Sequence, residues 1–198
     1  MANSPYDEIP QARWLRVTED LVDDHPLAPE QIVTAVFDAW DGLFTTSIGK
    51  HGLKIGEHIF PKPQIIGALL HELIPAEFVM LDKECWRAEQ KSDDKDIVYI
   101  PDDTYSIELK TSSHPSQIFG NRSYAQAPTR DKKGKDGYYL TVNFEKFSPK
   151  NPRPNILFIR FGWLGHSDWI GQTSQTGQQA RLSPSTYTTK FRTLYAKS

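Results

Sequence analysis

The sequence predicts an α/β (α+β) fold in which a mixed central β-sheet is flanked by helices. Apolar residues recur at helical spacing in two early segments, 29–44 and 63–74. After residue 96 the pattern changes to short runs typical of strands, at residues 97–100, 105–112, 138–147 and 155–165. Helices followed by strands are typical of an α+β or mixed α/β architecture. At 198 residues, the chain is expected to form a single domain over residues 1–198.

The two helices are predicted from their boundaries as well as their periodicity. Pro29 suits the first turn of helix 29–44, and its apolar residues recur every three or four positions. Helix 63–74 also begins with proline, and we expect it to end before Pro75, because proline in a helix interior removes a backbone hydrogen bond. The first 28 residues are polar and acidic, and they predict no element.

Composition indicates an ordinary globular protein. No apolar run approaches the roughly 20 residues that span a bilayer, and the N-terminus lacks the pattern of a signal peptide. The single cysteine, Cys85, excludes an internal disulfide framework and a cysteine-based zinc cluster. The segment HELIP (71–75) begins like a zinc-protease motif but has proline where the second histidine is needed. We therefore expect a cytoplasmic protein.

Charge is distributed unevenly along the chain. The formal net charge is −2, yet residues 104–198 carry 14 basic and 5 acidic side chains, a net +9. A basic C-terminal half suits a surface that binds a polyanion. Chance segregation of charge along the chain is the alternative. Residues 112–137 are also polar and too long for an idle turn in a compact domain.

The stretch KDIVYIPDDTYSIELKTSS (95–113) predicts a β-hairpin. Its PDDT segment (101–104) has the proline and aspartates of an ordinary turn. The apolar pattern favours a register in which Tyr99 faces Ile107 and Ile97 faces Leu109, because a one-residue slip would exchange the two faces.

The same register gathers Asp96, Glu108 and Lys110 on the opposite face of the hairpin. Two adjacent carboxylates repel each other unless a cation lies between them. An all-oxygen site with open positions suits Mg²⁺, which keeps several waters and binds substrate phosphate. The lysine could orient a water and stabilise charge on phosphorus. A salt bridge on an exposed strand face is the alternative.

These residues resemble the PD-(D/E)xK nuclease core, with Asp96 and the Glu108-Leu109-Lys110 tripeptide matching its motif. The resemblance implies a restriction-endonuclease-like fold, Asp96 and Glu108 as Mg²⁺ ligands, and Lys110 as a catalytic residue. In that family a helix before the sheet often supplies another glutamate, and Glu72 is the matching residue. Lys95 departs from the pattern, since the family often has proline before the first aspartate.

A longer resemblance covers residues 29–185. ELKTSSHPSQIFGNRSYAQ, a strand, and then RFGWLGHSDWIGQTSQTGQQARL are similar to type II restriction endonucleases, most nearly the ScaI-type group. This implies a homodimer that cuts double-stranded DNA at a short palindromic site with Mg²⁺. Helix 29–44 is a candidate for the dimer interface, and a core helix is the alternative. A structure-specific or repair nuclease with the same core, and a non-catalytic DNA-binding protein, remain as other functions.

Polar side chains after the catalytic hairpin are candidates for reading DNA bases. Arginine reads guanine, and asparagine or glutamine reads adenine, in the major groove. A first predicted cluster contains Gln117, Asn121 and Arg122, and a second contains Gln172, Ser174, Gln175, Gln178, Gln179 and Arg181. A solvated glutamine-rich loop is the alternative for the second cluster. Lys132, Lys133 and Lys135 are expected to contact phosphates or to solvate a loop.

Overall fold

A six-stranded mixed sheet forms the centre of the molecule in a computed structural model that describes residues 4–127, 135–174 and 176–198. The strands in chain order are β1 Ser47–Ile48, β2 Leu53–Lys54, β3 Trp86–Ala88, β4 Ile97–Tyr99, β5 Ile107–Ser112, β6 Phe119–Asn121, β7 Gly137–Phe144, β8 Ile156–Leu164, β9 Trp169–Gly171, β10 Gln179–Leu182 and β11 Arg192–Ala196. The helices are α1 Trp14–Asp23, α2 Pro29–Thr45, α3 Pro63–Leu81 and α4 Pro184–Thr189. Strands and helices thus lie close to the boundaries predicted for α2, β4, β5, β7 and β8.

The central sheet has the strand order β11-β8-β7-β5-β4-β3. Only β5 and β7 are parallel, and the other neighbours are antiparallel. The predicted mixed sheet flanked by helices is therefore confirmed. A parallel pair needs a long crossover connection, which explains the polar segment between β5 and β7. That crossover contributes β6 to a second sheet of order β6-β10-β9, which we call the reading sheet.

Helix α2 places its apolar residues in the core. Ile32, Val36, Trp40 and Leu43 are buried in the main hydrophobic cluster together with the central sheet. The exposed positions of α2 are polar or acidic: Glu30, Gln31, Thr34, Asp38, Asp41 and Thr45. The buried residues make α2 a core helix, which was the alternative to a place in the dimer interface.

Helix α3 is longer than predicted, because it continues through Pro75 to Leu81. The expected end before Pro75 was wrong. Ile66, Leu70, Ile74 and Phe78 are all fully buried, so the apolar stripe continues past the proline. Burial of this stripe outweighs the cost of about 3 kcal/mol of an interior proline.

The length and composition of α3 also suffice to cross a membrane, which was not expected from the sequence. A single helix of this kind is weak evidence of a membrane span, because the core helix of a soluble protein can have the same length and composition. Its buried stripe belongs to the main hydrophobic cluster of the domain. In this structure α3 is a core helix.

The N-terminal residues, for which the sequence predicted nothing, fold onto the C-terminal part of the chain. Lys190 Nζ lies 4.3 Å from the ring centroid of Tyr6 and 4.4 Å from that of Trp14. The same nitrogen is 2.8 Å from Asp168 Oδ1, and both side chains of this ion pair are buried. The hydroxyl of Thr18, on α1, donates to the Thr189 carbonyl at 2.7 Å. The N-terminal segment is therefore held by buried polar contacts.

The register of the β4–β5 hairpin differs from the prediction by two residues. Ile97 pairs with Ile107, rather than with Leu109. The 3₁₀ helix Asp103–Tyr105 extends from the predicted turn into Tyr105, which was expected to begin the strand. Because a slip of two residues preserves the period of a strand, every side chain stays on its predicted face.

The aspartates of the turn are engaged in local hydrogen bonds. Asp102 Oδ1 accepts from the backbone nitrogen of Thr104 at 3.0 Å. Asp103 Oδ1 accepts from the hydroxyl of Ser106 at 2.8 Å. These contacts are the turn chemistry that the sequence predicted for the PDDT segment.

Candidate active site and DNA-reading surface

Asp96, Glu108 and Lys110 converge on one face of the hairpin, as the apolar pattern predicted. Asp96 directly precedes β4, and Glu108 and Lys110 point to the same face because they are two positions apart on β5. Lys110 Nζ is 2.9 Å from Glu108 Oε1 and 4.0 Å from Asp96 Oδ2. The side chains are 15%, 3% and 13% exposed, in chain order. The alternative of a salt bridge on an exposed strand face is therefore wrong.

Asp96 is held by contacts from both sides of the hairpin. Its Oδ2 accepts from the backbone nitrogen of Leu109 at 2.6 Å. Its Oδ1 is 3.6 Å from Nδ1 of His71. Burial acts to raise the pKa of Asp96, but the interaction with His71 and the charge of Lys110 together hold the pKa below its usual value. The carboxylate is therefore ionised and available to a cation at neutral pH.

Helix α3 presents His71 to the site, whereas the sequence had singled out Glu72. Glu72 is exposed, although it lines a pocket of about 340 Å³ together with His71 and Asp96. The helical period explains why His71, rather than Glu72, reaches Asp96. A Cβ at Gly67 would lie 2.9 Å from Thr111 Oγ1, so Gly67 faces β5. His71 follows four residues later on the same face.

Tyr124, which the sequence did not single out, contacts Glu108 directly. Its hydroxyl donates a hydrogen bond to Glu108 Oε1. Burial and the charge of Glu108 raise the pKa of Tyr124, so the phenol keeps its proton. Lys110 and Lys135 lie over its ring, with Nζ 4.9 Å and 4.5 Å from the centroid. Lys132 and Lys133 lie outside the described residues.

The donor atoms at this site fit Mg²⁺. Asp96 and Glu108 offer carboxylate oxygens, and the carbonyl of Leu109 is 2.8 Å from Lys110 Nζ, so it also faces the cluster. Oxygen donors with room for waters are the ligands that Mg²⁺ prefers. Within the described ranges, no group of three or more His, Cys, Asp or Glu side chains could hold a metal ion. A cation held by the two carboxylates would have further coordination positions for water and phosphate.

The two predicted clusters of base readers meet in the reading sheet. Strands β6 and β10 are antiparallel and pair Asn121 with Gln179. A cleft of about 600 Å³ runs from the catalytic strand along this sheet. It is lined by Lys110, Phe119, Gly120, Asn121, Tyr124, Gln172, Gln178 and Gln179. Residues with amide side chains and Lys110 thus share one cleft.

The two arginines of the clusters have different surroundings. The backbone nitrogen of Arg122 donates to the Gln178 carbonyl at 2.7 Å, and its guanidinium donates to the Ser174 carbonyl at 3.3 Å. Arg122 therefore supports the glutamine-rich loop. Arg181 is exposed on β10 and lines a neighbouring pocket with Gln172 and Ser174. Gln175 lies outside the described residues.

Gln117 is exposed on a loop whose backbone is held by hydrogen bonds from the buried Asn143 side chain. Asn143 Nδ2 donates to the Gln117 carbonyl at 3.0 Å and to the His114 carbonyl at 2.8 Å. Arg160 Nη1 donates in turn to Asn143 Oδ1 at 2.9 Å, and both residues are buried. Asn143 therefore fixes the backbone of the loop that carries Gln117, which follows β5 in the chain.

Comparisons with known proteins point to one family. Residues 4–195 match the family model described as ScaI restriction endonuclease. The chain is 49% identical over 183 residues to the type II restriction enzyme ScaI of Streptomyces caespitosus, covering 91% of this chain and 80% of that protein. No solved structure matches the chain.

Proposed function

The chain belongs to the ScaI restriction endonuclease family and is a type II restriction endonuclease, and we propose that it cuts both strands of DNA at a short palindromic site with Mg²⁺ and leaves 5′-phosphates. The observation that carries this proposal is the convergence of Asp96, Glu108 and Lys110 at the end of the amide-lined cleft. Action on double-stranded DNA follows from membership of the family. The use of Mg²⁺, the 5′-phosphate ends and the roles of the individual residues are proposed.

In this mechanism Asp96 and Glu108 hold the cation, and Lys110 orients the attacking water. Bound Mg²⁺ supplies Lewis acidity and charge neutralisation at the phosphate. The water oxygen would form a bond to phosphorus and lose a proton to solvent, while the P–O3′ bond breaks and the departing O3′ takes up a proton from solvent, which leaves a 5′-phosphate and a 3′-hydroxyl. The Lys110 ammonium stabilises the charge that develops on the phosphoryl oxygens. His71 holds Asp96 in place, and we assign Glu72 a supporting role in the adjoining pocket.

Base reading is assigned to the side chains that line the cleft and its neighbouring pocket. Asn121 and the exposed glutamines of the reading sheet are suited to adenine, and Arg181 is suited to guanine. Gln117 lies on the anchored loop beside the catalytic strand, close to where the cleaved phosphate would lie. The C-terminal half of the chain, residues 104–198, carries a net charge of +9 and would supply the contacts to phosphates.

We propose that the active form is a homodimer. We place it in the cytoplasm, because a restriction enzyme acts there on DNA that enters the cell. One site cuts one strand, and a two-fold palindrome calls for two-fold protein symmetry. Light scattering with and without cognate DNA tests this, and a monomeric mass in both conditions would refute it.

Digestion of a plasmid of known sequence with Mg²⁺, followed by sequencing of the ends, tests the proposed reaction. A unique cut sequence is expected. A structure-specific or repair nuclease would cut without that sequence, and a non-catalytic DNA-binding protein would produce no ends.

Substitutions in the hairpin test the residue roles. Asp96→Ala, Glu108→Ala and Lys110→Ala should abolish cleavage, because each removes a metal ligand or the lysine, while DNA binding persists. The matched controls are Asp102→Ala and Asp103→Ala, which should still cut, since these residues only stabilise the turn. Normal cutting by Asp96→Ala, together with loss of cutting in a turn variant, would move the metal site to the turn.

A further inference from the structure

Tyr124 connects the reading sheet to the catalytic strand. It lies in the 3₁₀ helix Arg122–Ala125, which directly follows β6. Its hydroxyl donates to Glu108 Oε1, the same oxygen that accepts from Lys110 Nζ at 2.9 Å. The contacts of Glu108 thus include a donor from its own strand and a donor from the 3₁₀ helix that follows β6.

The ring of Tyr124 cannot move independently of the reading sheet. Its centroid is 5.1 Å from that of Trp169, on β9. A Cβ at Gly120 would lie 3.2 Å from Tyr124 Cγ and 3.1 Å from Trp169 Cζ3, which is tighter than ordinary contact. Glycine at this position therefore allows β6 to lie directly against the ring. A shift of β6 would be passed to the tyrosine hydroxyl, because close-packed groups transmit displacement.

The backbone of the same 3₁₀ helix is attached to the glutamine-rich loop. Arg122 begins this helix, and its backbone nitrogen donates to the Gln178 carbonyl at 2.7 Å. The Gln178 side chain and Asn121 both line the cleft. A DNA duplex that engages these side chains would therefore act on the segment that carries Tyr124.

We propose that Tyr124 is a positioning residue, whose hydroxyl orients Glu108 for the metal ion and couples recognition of the cognate sequence to cation binding. The inference rests on the proposed roles of Glu108 and of the reading sheet. The coupling is reciprocal: if cognate DNA favours cation binding, then the cation must tighten cognate DNA binding by the same factor. Tyr124 acts through its hydrogen bond to Glu108 in this inference.

Binding of Ca²⁺ and cognate duplex tests this coupling without a readout of cleavage. Ca²⁺ takes oxygen ligands as Mg²⁺ does, and fluorescence anisotropy gives the Kd of the duplex at each Ca²⁺ concentration. Tyr124→Phe keeps the ring and removes the hydroxyl. This variant should need about 10- to 100-fold more Ca²⁺ for the same tightening, since residues behind a metal ligand contribute about that factor. Its metal-free affinity for the duplex should stay that of the wild type.

Tyr138→Phe is the matched control, because it removes another buried tyrosine hydroxyl, which donates to the Leu21 carbonyl at 3.3 Å. It should keep the wild-type Ca²⁺ dependence. Gly120→Ala is a second, independent variant that displaces the Tyr124 ring while its hydroxyl remains. It should raise the Ca²⁺ requirement in the same direction. Thermal melts of all variants confirm that they fold.

Two outcomes would overturn the inference. One is a wild-type Ca²⁺ dependence in both Tyr124→Phe and Gly120→Ala. The other is a wild-type protein whose cognate binding does not respond to Ca²⁺, which would mean that the two sites are not coupled. Neither outcome touches the proposed function, which fails separately if the wild-type protein leaves no cut ends with Mg²⁺.

Discussion

His25 should make the stability of the fold depend on pH between neutrality and pH 5. Its ring is buried between Tyr138 and Phe161, with centroids 4.6 Å and 4.8 Å away. The backbone nitrogen of Leu27 donates to Nδ1 at 3.1 Å, so Nε2 carries the proton and donates to the Tyr105 carbonyl at 3.1 Å. Both ring nitrogens are therefore hydrogen-bonded when the imidazole is neutral. Burial lowers the pKa of His25 from 6.5 to about 4.

The magnitude follows from these two pKa values. Between them the unfolded chain binds a proton that the folded protein does not, so stability is complete above pH 6.5 and is lost as the pH falls towards 4. At about 1.4 kcal/mol for each pH unit, the total loss is roughly 3 kcal/mol, of which about 2 kcal/mol falls between pH 7 and pH 5. Glu145, whose pKa is lowered from 4.5 to about 2, acts mainly below this window.

Urea unfolding at pH 7 and pH 5, followed by tryptophan fluorescence, measures the effect. His25→Gln removes the titration, so the loss between the two pH values should nearly vanish, whatever the absolute stability of the variant. The control is His51→Gln, which replaces an exposed histidine and should keep the full wild-type loss. An equal loss in His25→Gln and the wild type would refute the assignment of this pH dependence to His25.

Three further results are expected. Lys190→Met should lower the free energy of unfolding by about 3–5 kcal/mol in urea titrations, because it leaves Asp168 buried without its cation; Asp168→Asn in the same chain should recover part of the loss, and no recovery would contradict the explanation. Without Mg²⁺, DNA affinity should fall on the order of 10³-fold between 50 and 200 mM salt, since binding by the basic half, residues 104–198, releases counterions from the phosphates. An affinity that does not change with salt would mean that this half does not contact the phosphates. Arg181→Ala should weaken cognate binding about 10- to 100-fold more than binding to random DNA, whereas Arg122→Ala should weaken both alike in anisotropy assays; equal losses for Arg181→Ala would make it a phosphate contact.

The face of the hairpin could be predicted from the sequence, but its register could not. The period of two in a strand assigns Asp96, Glu108 and Lys110 to one face whether Ile97 pairs with Leu109 or with Ile107. The choice between these pairings depends on the 3₁₀ helix at the turn, whose stability comes from side-chain hydrogen bonds that apolar patterning does not report. The three residues of the site were therefore assigned to the correct face although the predicted pairing was wrong by two residues.

Contacts between distant segments were beyond the reach of sequence patterns. Tyr124 meets Glu108 across 16 positions, and its aromatic type is equally consistent with an ordinary core residue. The end of α3 was misplaced because the local cost of Pro75 is visible in the sequence, while the burial of Phe78 beyond it depends on tertiary packing. His71 could not be recognised from the sequence either, because the face of α3 that meets β5 is known only from the structure.

The reading sheet is built from two separate connections of the central sheet. Strand β6 belongs to the crossover from β5 to β7, and strands β9 and β10 belong to the connection from β8 to β11. Neither connection forms the sheet alone, because β10 pairs with β6 on one side and with β9 on the other. The backbone register of each segment is therefore set partly by the other. A change in the length of either connection would disturb the shared pairings at β10 unless the other connection changed to match it, whereas side-chain substitutions on these strands leave the pairings in place.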